Sequence, residues 1–108
     1  MTSESPWYLN KSPLGAAYQH FSNVAKGPTV LDTKTKELIR LSIASVFRCK
    51  HCTEHHIKDA LAAGATREEI SEALLLASLQ SAGTQLNWNK ETFEKYLGNG
   101  PIEIENNG

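Results

Sequence analysis

Residues that start and stop helices recur along the whole chain, and between them apolar side chains return every three or four positions. Ser12-Pro13 is a cap and first-turn pair, followed by Leu14, Ala17, Tyr18, Phe21 and Val24 at helical spacing, and Gly27-Pro28 stops the segment. Asp32 is placed to cap a second helix through Leu38, Leu41 and Ala44 toward Val46. A third starts near Cys49, carries Ile57, Ala60 and Leu61, and ends at Gly64. Thr66 and Glu69 have the spacing of a capping box for a fourth helix. Gly83 is expected to break it, with Leu86, Lys90, Phe93 and Leu97 continuing as a fifth. Alternation at period two occurs only in the tail Ile102-Glu103-Ile104-Glu105, which is too short to carry a sheet. No internal repeat interrupts this order. The fold class expected is all-α.

At 108 residues the chain is expected to form one domain, residues 1–108, with a core of its own. Met1 to Ser5 and Asn106 to Gly108 are expected to fray. The formal net charge is −1, with both signs scattered along the sequence. No basic stripe points to nucleic acid, and no Lys/Arg-rich amphipathic helix points to a membrane surface. Met1-Thr2-Ser3-Glu4-Ser5-Pro6 lacks the basic and apolar regions of a secretory signal. The most apolar run, Ala73 to Leu79, is far below the roughly 20 residues that span a membrane. A soluble, cytoplasmic protein is the expectation. In that compartment a pair of nearby cysteines more often cycles than staples.

The fourth helix carries apolar residues on two sides. Ile70, Ala73, Leu74 and Ala77 form one stripe; Leu75, Leu76, Leu79 and Ala82 form another opposite it. A surface helix needs one stripe, and a helix apolar nearly all round is covered on both sides. Either this is the central helix of the domain, or its second face meets another subunit.

Chemistry concentrates in Cys49-Lys50-His51-Cys52-Thr53-Glu54-His55-His56, which holds both cysteines and three of the four histidines. On a helix, Cys49, Cys52 and His56 share one face at spacings of three and four. One turn brings the two cysteine Cα atoms within bridging distance. A helix N-terminus and a neighbouring histidine lower a thiol from its usual pKa of about 8.5 to roughly 3.5–7.5. Cys52 is the thiol more easily coupled to His56, and Cys49, at the helix entrance, is the more exposed. An oxidant then converts one thiolate to a sulfenic acid, and the neighbouring thiol condenses with it to give a disulfide.

Two other readings stand beside this one. In a zinc site, Cys49, Cys52 and His56 are three ligands and His51, His55 or Glu37 the fourth. Structural zinc sites usually draw on two separated pairs, and here no second Cys/His pair exists; His20 stands alone. In the other reading the cysteines are small buried hydrophobes and the histidines a solvated face, with Lys50, Thr53, Glu54 and Lys58 on the polar side. Glu37, in the first turn of its helix, is by itself a surface partner of the helix dipole.

Glu37 followed by Cys49-x-His51-Cys52-x-x-x-His56 resembles the active-site signature of the carboxymuconolactone decarboxylase family, in its alkylhydroperoxidase D-like branch. Leu31-Asp32-Thr33-Lys34-Thr35-Lys36-Glu37-Leu38-Ile39 leads into the site in the manner of that family. His55-His56-Ile57-Lys58-Asp59-Ala60-Leu61-Ala62-Ala63-Gly64-Ala65-Thr66, then Glu68-Glu69-Ile70, leads out of it. The similarity covers roughly residues 14 to 97. It implies a small helical domain built around an antiparallel helix pair that carries the site, and homo-oligomers, commonly trimers or hexamers. For activity it implies a thiol peroxidase or disulfide reductase without a bound cofactor, recharged by an external dithiol or a thioredoxin-like reductant. Carried over residue by residue, Cys52 attacks the hydroperoxide, Cys49 resolves, and Glu37, His51 and His56 relay protons. His55 has no counterpart role. The decarboxylase branch lacks the cysteine pair, so the resemblance favours hydroperoxide reduction over lactone decarboxylation.

Overall fold

The computed structural model describes residues 6–10 and 12–104. A 3₁₀ turn, Trp7–Leu9, precedes five helices: α1 Pro13–Lys26, α2 Thr33–Val46, α3 Lys50–Ala62, α4 Arg67–Asn87 and α5 Lys90–Leu97. Among the described residues there is no strand, so the all-α expectation holds. The residues expected to fray, 1–5 and 106–108, lie outside those described.

Local chemistry sets most of the boundaries. Ser12 Oγ accepts a hydrogen bond from the Gly15 amide at 2.9 Å, and Pro13 occupies the first helical position. Asp32 Oδ1 accepts from the Thr35 amide at 2.7 Å. Thr66 and Glu69 make the full capping box: Glu69 N–H donates to Thr66 Oγ1 at 3.1 Å and Thr66 N–H donates to Glu69 Oε1 at 2.9 Å. The other oxygen of Glu69 accepts from Lys34 Nζ at 2.9 Å, so one carboxylate caps α4 and ties it to α2. Gly15 is buried because a Cβ there would collide with the Leu9 carbonyl, which lets the 3₁₀ turn lie directly on α1.

The expected break at Gly83 does not occur. α4 runs through it to Asn87, and Leu86 belongs to α4 rather than to the fifth helix. Glycine in a helix interior costs only about 1 kcal/mol relative to alanine and keeps both backbone hydrogen-bonding groups. Asn87 Nδ2 donates to the Gly83 carbonyl at 2.8 Å, and the ladder continues to Trp88, whose N–H donates to Thr84. The chain turns only at Asn89, whose φ of −130° and ψ of 33° leave the helix.

The central helix is α2, with α3 packed antiparallel on one side and α4 on another. Leu41 and Ala44 on α2, Ala60 on α3 and Ala65 beyond it make the buried apolar core, and among the described residues Leu41 is the one large, fully covered side chain. Ser42 Oγ reaches across to the Ala73 carbonyl at 3.3 Å. The first stripe of α4, Ile70, Ala73, Leu74 and Ala77, is half-buried; its second stripe is open, with Leu75 66% and Leu79 71% exposed. The alternative that α4 is the central helix therefore fails within one chain. The core is also smaller than the chain's length led one to expect, because α1 and α5 lie apart from it in a molecule 65 × 35 × 28 Å.

Candidate active site

The antiparallel α2–α3 pair is joined by Phe47, Arg48 and Cys49. Arg48 has φ of 58°, the left-handed region that favours glycine. Its N–H donates to the Ser45 carbonyl at 3.1 Å and that of Cys49 to Ala44 at 3.1 Å, which closes the end of α2. This reversal delivers Cys49 as the cap of α3. Its sulfur accepts a hydrogen bond from the Cys52 amide at 3.2 Å, the role an oxygen plays at most helix starts. Cys49 and Cys52 are joined as a disulfide, with Cα atoms 5.3 Å apart. Both are half-buried. In this oxidised state neither sulfur is a thiolate, and the zinc reading needs the reduced pair.

One turn further, His56 is buried, and its Nδ1 lies 2.8 Å from Glu37 Oε2 on α2. Glu37 is only 4% exposed, which removes it from the class of surface dipole partners. An ionised carboxylate can only accept, so opposite an ionised Glu37 it is Nδ1 that donates. A buried carboxylate needs partners, and Glu37 has a second: Arg40 Nη1 stands 3.7 Å from Oε1. The fold thus brings Glu37 and His56 together across 19 positions, beside the cysteine pair one turn earlier on α3. It does not bring His51 to them. His51 is exposed on the first turn of α3, and its side chain makes no hydrogen bond or ion pair with the described residues.

His55 is exposed but partnered. Its Nε2 lies 3.2 Å from Asp59 Oδ2, and its ring meets that of His56 edge-on at 5.1 Å between centroids. Candidate ligand atoms of His55, His56 and Asp59 lie within 4.8 Å of one another. A cavity of about 320 Å³ opens beside them, lined by Lys26, Thr33, Glu37, Arg40, His55 and Asp59. Glu37 is part of that lining, although it is only 4% exposed. Sequence reasoning missed Arg40 and Asp59, although both had a readable signal: Glu37/Arg40 at i, i+3 and His55/Asp59 at i, i+4. Arg48 had none, since nothing local marks a left-handed arginine.

Residues 13–90, which hold the whole α2–α3 pair, match the carboxymuconolactone decarboxylase family. The chain belongs to this family. It is 40% identical over 67 residues to "Uncharacterized protein 4 in cox locus" of Paracoccus denitrificans, covering 62% of this chain and 60% of that one. An uncharacterized protein of Haemophilus influenzae is 43% identical over 44 residues, 41% of this chain and 39% of its own. The matched stretches therefore span less than two thirds of those relatives. A crystal structure of a protein from Methanobacterium thermoautotrophicum is 30% identical with a TM-score of 0.67, over 80% of this chain and 98% of that one. These likenesses bear out the family and the helical fold expected from the motif. No helix among the described residues is long and apolar enough to cross a membrane.

Proposed function

We propose that this chain is a thiol-dependent peroxidase of the alkylhydroperoxidase D-like branch, reducing hydroperoxides through Cys49 and Cys52. The observation that carries the reading is the buried His56–Glu37 pair, 2.8 Å between Nδ1 and Oε2, one helical turn from a cysteine pair that already forms a disulfide. A thiol above its usual pKa supplies no nucleophile at neutral pH without a base, and His56 Nε2 is the base on the same face of α3.

In the cycle, His56 takes the Cys52 proton while Glu37 holds the imidazolium. The thiolate attacks the outer oxygen of the hydroperoxide, the O–O bond breaks, and the alkoxide takes the proton to leave as an alcohol. Cys52 is now a sulfenic acid. The Cys49 thiol displaces its oxygen as water and the disulfide forms. An external dithiol, small or thioredoxin-like, exchanges with that disulfide, restoring both thiols and leaving oxidised itself. Each turn consumes one hydroperoxide and one dithiol. The chain needs no bound cofactor for these steps, works as a homo-oligomer (a trimer or a hexamer), and belongs in the cytoplasm. His51 acts at the solvent edge of the relay.

The test is stopped-flow consumption of a panel of hydroperoxides by reduced protein, with two thiols lost per turnover. Consumption no faster than by free cysteine overturns the proposal. Rapid exchange with disulfide substrates under the same conditions then assigns a general disulfide reductase.

A further inference from the structure

An isolated chain of this mass that folds into a compact globule exposes about 6,000 Å², whereas this one exposes 9503 Å². Its radius of gyration is 20.6 Å, against about 13 Å for a compact domain of this length. The excess of roughly 3,500 Å² is several times the roughly 800 Å² that one partner contributes to a stable interface. A surplus of that size leaves area for more than one interface.

Two of the uncovered faces match each other. The first is a groove of about 630 Å³ between the second half of α2 and the second half of α4. Ile39, Ile43, Val46, Phe47, Ala77 and Trp88 give it apolar walls. The second is α1, which within the chain packs against the 3₁₀ turn and leaves Leu14 (83%), Tyr18 (58%) and Phe21 (71%) exposed. Those three stand at i, i+4 and i+7, the anchor spacing of a helix laid into a groove. Neither face carries a charged side chain at its centre, which fits one to the other and to no ionic partner.

We propose that α1 of one copy seats in the α2–α4 groove of a second copy, with Leu14, Tyr18 and Phe21 against Ile43, Phe47 and Trp88. This deepens the homo-oligomer part of the reading above by naming the two surfaces that meet. It also ties assembly to chemistry. Val46 and Phe47 line the groove and lead directly through Arg48 to Cys49, so a seated α1 holds the backbone that positions the resolving cysteine.

The test places benzoylphenylalanine at position 21 of the full chain, mixes isotopically heavy and light protein, and maps the photoproducts by mass spectrometry. Heavy–light products that join position 21 to residues 39–47 or 80–88 are expected. Products within a single chain, or between copies at the Leu75–Leu79 face, overturn the inference while leaving assembly intact. A monomeric wild type by light scattering at micromolar concentration overturns both. As a second measurement, Phe21→Glu and Ile43→Glu should each weaken association at least about 10-fold. Unchanged association in either variant, with helicity retained, also overturns it.

Discussion

Two helices of this protein end in the same backbone geometry and use different residues to do it. At the end of α3, Gly64 has φ of 92°; its N–H donates to Leu61 and that of Ala65 to Ala60. At the end of α2, Arg48 has φ of 58°; its N–H donates to Ser45 and that of Cys49 to Ala44. Both are the paired closure that commonly takes glycine at the left-handed position. The α3 end only turns the chain into α4, and glycine is there. The α2 end delivers Cys49, and there an arginine is held in a conformation that costs a residue with a Cβ about 1–2 kcal/mol. Strain of this kind collects where a site must be positioned. On the function proposed above, the contrast separates a junction that serves folding from one that also serves chemistry.

Variants at the chemical junction should lose reaction without losing structure, and this is the largest effect expected. Cys52→Ala should remove the first peroxide oxidation altogether, while Cys49→Ser should leave one stoichiometric oxidation without turnover. Single-turnover thiol loss measures both. If Cys49→Ser alone loses the first oxidation, the two roles are reversed. Glu37→Gln and His56→Ala come next. Acid–base assistance of this type contributes about 10²–10⁴-fold, so each should slow thiol oxidation at least about 10-fold. His55→Ala should change little, because the His55–Asp59 contact is exposed and outside the buried pair. The pH profile of Cys52 alkylation by a small electrophile decides it: a profile moved by neither relay variant removes Glu37 and His56 from the chemistry.

The folding junction should behave in the opposite way. Gly64→Ala puts a Cβ at φ of 92° and should lower stability by about 1–2 kcal/mol in urea unfolding, with thiol oxidation unchanged. Arg48→Gly should raise stability by about 0.5–1 kcal/mol, the strain relieved less the entropy of a more flexible unfolded chain. If that variant also slows oxidation, the arginine is retained for the site; if it is destabilising, the contrast between the junctions breaks.

The smallest effect concerns the tie between α2 and α4. The Lys34 ammonium and the Thr66 amide hold the Glu69 carboxyl below its ordinary range, and Glu69 raises Lys34 in turn. A lowered carboxyl stabilises the fold above its ordinary titration range, and that contribution is lost as pH falls through the lowered value. The raised lysine loses its share only when pH climbs past its own ordinary range. Glu69→Gln should therefore flatten the acid limb of the stability profile without moving the neutral plateau by much, as urea midpoints from pH 6 to pH 3 would register. The pair is part-exposed, so the change should be small.

Features that depend on a residue's nearest few neighbours were legible from the chain alone. The caps at Ser12, Asp32 and Thr66–Glu69, the stop at Gly64 and the shared face of Cys49, Cys52 and His56 all lie within one turn of what they act on. The family motif added Glu37 to that set by its spacing. Tertiary structure decided what depends on surroundings. Whether Glu37 is a surface carboxylate or a buried partner turns on 19 residues of intervening chain folding back, and only the packed α2–α3 pair answers it. Gly83 reads as a stop because glycine weakens helices, yet the ladder on both sides outweighs about 1 kcal/mol. The second stripe of α4 reads equally as core or interface, since apolar periodicity records that a face is covered and says nothing of what covers it. Only the fold, by giving the central place to α2, leaves Leu75 and Leu79 in the open.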